Sequence, residues 1–351
     1  MNHPCKQLVP QNSTIACRHA QRAFLASWIF VSSFLVCLGR CWAEAPTNTM
    51  DRATRSQVVE AAAKALEDRY IFPDLGIAMA NKIRQQNAAH AYDALATAKE
   101  FSRQLTADLY SVGHDKHIHV DSDGTRLVIQ EHPGPGGPGP RPRHLEGPPP
   151  AARVSEFKRL SGNLGYIRVD QMLPADGSNE SIDTALAALT GSKALIIDLR
   201  HNGGGDPMMV AYLCTYLFPA GARIHLNDFV DRDDPAPRAS YTLPSVPGKT
   251  FTGEVYVLTS HFTFSGGEEM AYDLQALKRA TIVGETTGGG ANPGGPVPLP
   301  DHFSIFIPTG RPINPVTKTN WEGVGVQPDV SVPADEALEK ATFLALRRTE
   351  P

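Results

Sequence analysis

Ala194-Leu195-Ile196-Ile197-Asp198-Leu199, then Arg200-His201-Asn202-Gly203-Gly204-Gly205, then an apolar run from Pro207: this stretch decides the reading of the fold. The first segment is apolar on both alternating faces up to Asp198, the pattern of a strand covered on both sides of its sheet. A glycine turn and a helix follow. The same grammar recurs downstream. Residues 255–259 read as a second buried strand, followed by a helix from Ser265 or Gly266 to Leu277. Residues 281–283 read as a third, followed by a glycine-rich loop over 288–295. Before the first of these, residues 164–169 read as a short strand and 181–189 as a helix. Repeated strand–loop–helix units predict a layered α/β core.

Towards the N-terminus the period changes. Val58, Val59, Ala62 and Leu66 recur at helical spacing, and residues 77–83 and 94–109 continue the pattern, which predicts a small bundle of helices. Residues 117–129 read as a strand pair turning at Asp121-Ser122-Asp123-Gly124. Residues 133–150 are mostly Pro and Gly and read as an exposed loop or linker. The expected organisation is residues 1–43 as a signal peptide, 50–112 as a helical domain, and 113–345 as the α/β core.

The leader rests on Lys6, Arg18 and Arg22 ahead of an uncharged run over residues 23–39, with small residues at Cys41 and Ala43 before Glu44. An uncleaved membrane anchor is the alternative, although the run is at the short limit for a spanning helix. Val36 and Arg40 stand where a lipoprotein box needs a small residue before Cys37 or Cys41. The expected location is therefore periplasmic or secreted. The 351 residues are 41% apolar and 20% charged, an ordinary globular composition, and 33 Lys plus Arg against 37 Asp plus Glu give a charge of −4. With no basic surplus, nucleic acid is an unfavourable partner. Beyond residue 43 only Cys214 remains of the 5 cysteines, so no internal disulfide is expected.

Three segments can carry chemistry. In Asp198–Gly205, consecutive glycines before a helix expose backbone N–H groups, which suits a tight turn or an oxyanion hole. The spacing of a phosphate loop is missing. In Thr259-Ser260-His261-Phe262-Thr263-Phe264-Ser265-Gly266-Gly267-Glu268, a strand, sharp loop, serine and helix follow one another, the order that presents a nucleophile. Ser265 with Glu268 is equally a capping box. In His114-Asp115-Lys116-His117-Ile118-His119, metal binding lacks a fourth ligand, while a single catalytic base or a solvated histidine fits the pattern.

Taken in order, five motifs resemble the tail-specific (C-terminal processing) serine proteases, in the branch of interphotoreceptor retinoid-binding protein, which is similar to the tricorn protease core. They are Asp115-Lys116-His117; Asp198-Leu199-Arg200-His201-Asn202-Gly203-Gly204; Thr259-Ser260 through Glu268; Val283-Gly284-Glu285-Thr286-Thr287-Gly288-Gly289; and Trp321-Glu322-Gly323-Val324-Gly325-Val326-Gln327-Pro328-Asp329. The resemblance implies a crotonase/ClpP-like α/β core behind a helical N-terminal domain. It places Ser265 on the nucleophile, and Gly266 with Gly203 or Gly204 on the oxyanion hole. Better-known members use a lysine base, whose place Gly290 takes here; the tricorn-like alternative places His117 as base and Glu322 as its orienting group. Lys116 stands where that arrangement has a serine.

The implied activity is endopeptidase cleavage of peptide or protein substrates, with neutral His117 taking the Ser265 proton. It needs no metal or organic cofactor. About 30 residues between Ile129 and Asn163 leave no room for a PDZ insertion, so specificity comes from elsewhere. Two other readings stand beside it: a non-catalytic carrier of retinoid- or lipid-like ligands on the same fold, and an acyl-CoA enzyme of the related crotonase-like fold, which would not need Ser265. Peripheral membrane contact stays open, and the sequence carries no sign of oligomeric state.

Overall fold

The structure, a computed structural model, describes residues 50–122, 154–172, 179–234 and 236–348. The expected leader, its anchor alternative and the Pro/Gly segment 133–150 lie outside the described residues. In chain order the elements are α1 (Arg52–Arg69), α2 (Pro73–Ala88), α3 (Ala98–Gly113), β1 (His119–Asp121), β2 (Val154–Leu160), β3 (Leu164–Val169), α4 (Glu180–Ala188), β4 (Ala194–Asp198), α5 (Pro207–Thr215), β5 (His225–Asp231) and β6 (Arg238–Tyr241). There follow β7 (Glu254–Thr259), α6 (Gly266–Ala276), β8 (Thr281–Gly284), β9 (Gly294–Pro298), β10 (Ser304–Pro308), β11 (Gly310–Ile313), β12 (Val330–Ser331) and α7 (Ala337–Arg348).

Among the described residues the central sheet has six strands in the order β12-β8-β7-β4-β3-β2, parallel except for the β2–β3 hairpin. Alternation within its strands explains the uninterrupted apolar runs. Leu195, Ile197, Val255 and Val257 face a core shared with α4, α5 and α6. Ala194, Ile196, Tyr256 and Leu258 face Ala337, Ala341 and Ala345 of α7. Each fully buried large aliphatic side chain contributes about 1.5–3 kcal/mol, so a sheet covered on both faces is self-consistent. Because β4 and β7 are adjacent and parallel, the loops leaving their C-terminal ends meet at the same end of the strands.

The helical region is tied to a second sheet. Thr97 and Glu100 form a capping box at the start of α3. The core of α1–α3 contains Val58, Leu66, Met79, Ile83, Phe101 and Leu105, and it continues through Ile118 and Val120 into Ile305 and Ile307 of β10. The described part of the expected 117–129 strand pair is β1, whose partner among the described residues is β10, antiparallel, with β9 beyond; residues 123–129 lie outside the described residues. The turn between α3 and β1 is thus held by packing on both sides. A third sheet, β11-β5-β6, is fastened to α6 by Asn227 and Asn314, whose side-chain N–H groups donate to buried Asp273. Among the described residues no helix is long and apolar enough to cross a membrane.

Candidate active site

Ser265 sits immediately before α6 with φ 50° and ψ −122°. A residue at the N-cap normally lies in the β region, and a positive φ outside glycine costs on the order of 1–3 kcal/mol. Two loops enforce this geometry. The Phe264 N–H donates to Asn202 O at 2.9 Å, and the Thr263 hydroxyl to Leu199 O at 2.8 Å, which binds the loop after β7 to the loop after β4. Gly204, itself at φ 103°, lies so close that a Cβ there would sit 2.6 Å from Ser265 Cβ and 3.0 Å from Gly266 N. The Ser265 N–H donates to Glu268 Oε2 at 2.9 Å, the glutamate half of the expected capping box.

The turn's N–H groups divide. Gly204 N–H donates to Asn202 Oδ1 at 2.8 Å and Gly203 N–H to Asp170 O at 3.4 Å, so the two turn residues expected beside Gly266 in the oxyanion hole are engaged. Gly205 and Gly266 have no N–H acceptor among the described residues, and they are neighbours: a Cβ on Gly266 would lie 3.2 Å from Gly205 N.

His117 is buried in the turn after α3. Its imidazole lies between Phe264 (centroids 4.7 Å apart) and Phe306 (5.8 Å). Asp115, to which the motif Asp115-Lys116-His117 assigns no role, lies beside the ring, with Oδ1 3.8 Å from Nδ1. The same oxygen accepts the His117 N–H at 2.9 Å, while Oδ2 accepts from the Tyr70 hydroxyl at 3.2 Å and the Asn292 amide at 3.0 Å. The signal was present in Asp115-x-His117, an acid two residues before a base. Glu322 arrives from the loop after Trp321, whose indole N–H donates to Gly290 O at 2.8 Å. Glu322 Oε2 accepts N–H groups of Ala291 at 2.5 Å and Asn292 at 3.3 Å. One side-chain donor atom from each of Asp115, His117 and Glu322 falls within 4.8 Å of the others. His114 and His119 are turned elsewhere: His114 against Tyr110, His119 onto the His117 carbonyl and Asp121.

Burial pushes His117 down to about 4, with the Asp115 carboxylate opposing and His119 adding to the fall. At neutral pH the imidazole is therefore neutral and able to accept a proton. Burial, then the charge of Asp115, lifts Glu322 up to about 7 against the two N–H groups it accepts. Among the described residues neither ring nitrogen of His117 has a hydrogen-bond partner, so Ser265 and His117 are not joined by a hydrogen bond here; Phe264, the residue before Ser265, packs against the imidazole.

Glu268 does more than cap a helix. Fully buried, it accepts from Ser265 N–H, Thr287 Oγ1, Gly289 N–H (2.6 Å) and Gly290 N–H (2.9 Å), fixing the 287–290 loop to the serine. Lys116 reaches the same loop, donating to Gly288 O. The room a lysine would need at Gly290 is filled: a Cβ there would lie 2.2 Å from Phe264 Cζ and 2.9 Å from His117 Cε1. Gly290→Ala is accordingly expected to displace both rings and slow reaction of Ser265 with an active-site-directed probe by about 10²-fold, the usual result of a 1 Å misplacement. Probe kinetics beside a melting curve check this.

Residues 163–332 match the model of peptidase family S41, and residues 49–146 match that of the N-terminal domain of Peptidase_S41 in eukaryotic IRBP. Over 211 residues the chain is 26% identical to tricorn protease of Thermoplasma volcanium, covering 55% of this chain and 18% of the relative. Over 180 residues it is 29% identical to the chloroplastic C-terminal processing peptidase of Tetradesmus obliquus, covering 48% and 35%. The chain thus spans about a third or less of these curated relatives. The fold also matches the crystal structure of a candidate peptidase from Parabacteroides merdae, with TM-score 0.58, 19% identity, and coverage of 85% of this chain and 97% of that one.

Proposed function

Because the chain carries a peptidase family S41 domain behind an N-terminal domain of the same family, we propose that it is a serine endopeptidase acting on peptide or protein substrates. Ser265 Oγ attacks the scissile carbonyl while His117 accepts its proton, then returns it to the leaving amine; water completes hydrolysis of the acyl-enzyme. Substrate binding has to bring Ser265 and His117 into hydrogen-bond reach, as catalytic pairs commonly tighten only in the complex. Asp115 orients the ring through Nδ1 and stabilises the imidazolium, with Glu322 adding a second carboxylate beside it. The N–H groups of Gly266 and Gly205 form the oxyanion hole at the start of α6, with Gly205 in the place the sequence assigns to Gly203 or Gly204. Residues 1–43 serve as an export leader in this reading, which N-terminal sequencing of the exported protein tests by a start at Glu44.

The observation that supports this reading most is Ser265 itself, a non-glycine residue at positive φ, pressed by Gly204 at a helix N-terminus. Labelling with a fluorophosphonate probe tests it. The expected result is one adduct per chain, mapped to Ser265 by mass spectrometry and absent from Ser265→Ala. No adduct from neutral to mildly alkaline pH returns the assignment to a ligand carrier. The cleft at the N-terminal ends of β7 and β8 offers that alternative little support, since Lys193, Glu254, Lys278, Arg279 and Asp329 line it.

A further inference from the structure

Four buried polar atoms without hydrogen-bond partners among the described residues belong to three residues of this one site: Nδ1 and Nε2 of His117, Oε1 of Glu322 and Oδ1 of Asn292. Asn292 belongs to the group because its amide donates to Asp115 Oδ2 and its backbone N–H to Glu322 Oε2. Orphaned buried polar atoms in a native structure call for a water, a proton or an ion. The charges narrow the choice. Asp115 and Glu322 are two carboxyl groups in a largely desolvated site, and their hydrogen-bond donors among the described residues are Tyr70, His117, Ala291 and Asn292, none of them a Lys or Arg. Buried charges are ordinarily paired or bound to a metal.

We propose that Asp115, His117 and Glu322 bind one divalent transition-metal cation, zinc above all, which occupies the imidazole and holds the enzyme inactive. The binding stands on the geometry alone; the inactivation rests on the peptidase reading above. Two ligand atoms on a tetrahedral zinc lie about 3.4 Å apart. Asp115 Oδ1 and His117 Nδ1 are 3.8 Å apart and the full set falls within 4.8 Å, so small side-chain rotations close the site. One imidazole with two carboxylates favours Zn²⁺ or Co²⁺ over Mg²⁺ and Ca²⁺, which prefer all-oxygen sites. Three protein ligands leave a fourth position for water or a substrate group. The site also differs from the histidine cluster of the sequence, because His114 and His119 take no part in it.

The test uses the full chain after chelator treatment, titrated with Zn²⁺ by calorimetry and with Co²⁺ by visible absorption. The expected result is one ion per chain, no matching response to Mg²⁺, at least tenfold weaker binding in Asp115→Asn and Glu322→Gln, and no binding in His117→Ala. His119→Asn should bind as the wild type does, and melting curves report whether each variant is folded. Binding that survives both carboxylate substitutions, disappears in His119→Asn, or is matched by Mg²⁺ overturns the assignment. In the wild type, zinc but not magnesium should also slow fluorophosphonate labelling of Ser265. A chain that never labels defeats the peptidase reading, while calorimetry still decides the metal site.

Discussion

His117→Ala is expected to slow peptide-bond hydrolysis by about 10²–10⁴-fold, the span that a positioned general base contributes. A quenched fluorescent peptide library assayed against the chelator-treated protein measures it, and a loss below tenfold would remove His117 from the mechanism. The pH profile gives the loss its chemistry. With the imidazole held at about 4, the wild-type rate should fall as pH drops through that value, because the protonated ring cannot accept a proton from Ser265. A second rise is expected as pH climbs through about 7, where Glu322 ionises and its negative charge begins to stabilise the imidazolium formed in the transition state. Glu322→Gln should keep the acid limb and lose the upper step. His117→Ala should flatten both.

Much of this architecture could be read from residue order, and the reasons differ by element. Strands β4 and β7 declared themselves because each is apolar on two faces, and each is in fact covered on two faces. The second sheet did not. Strand β1 is only three residues long, and its partner among the described residues, Ser304–Pro308, lies far downstream, where no local pattern names the pairing. Strand β9, written Gly294-Gly295-Pro296-Val297-Pro298, looks like loop sequence because it is an edge strand, where missing N–H donors are tolerated. The site shows the same division. Motif order alone singles out His117 and Glu322, whose side chains the structure places within 4.8 Å of each other. Asp115 stands two residues before His117 in the sequence, but its bearing on the imidazole appears only once the turn is folded between α3 and β1. Glu268 was read as a helix cap, yet three of its four donors come from the loop at Thr287, Gly289 and Gly290, a relation set by tertiary packing.

The adjacent glycines of the turn provide the sharpest contrast between a sequence-level and a structural reading. As sequence, Gly203 and Gly204 are equivalent. In the structure a Cβ at Gly203 meets nothing within 4 Å, whereas one at Gly204 meets Ser265 Cβ at 2.6 Å and both Gly266 N and Phe264 O at 3.0 Å, from a backbone at φ 103°. Gly204→Ala therefore has to push the serine and the first N–H of α6 away from one another's working positions. The expected cost is about 10²–10³ in the rate of probe labelling and of hydrolysis, comparable to losing one oxyanion donor, together with about 1–2 kcal/mol of stability for a side chain in the left-handed region. Gly203→Ala should stay within about tenfold of wild type, because its N–H still reaches Asp170 O and its new methyl faces open space. Parallel labelling rates and melting curves for the two variants decide the matter. Equal losses would reduce the turn to a loop closure without catalytic bearing; a large loss confined to Gly204→Ala would tie the strained serine, the glycine pressed against it and the helix N-terminus into one working unit.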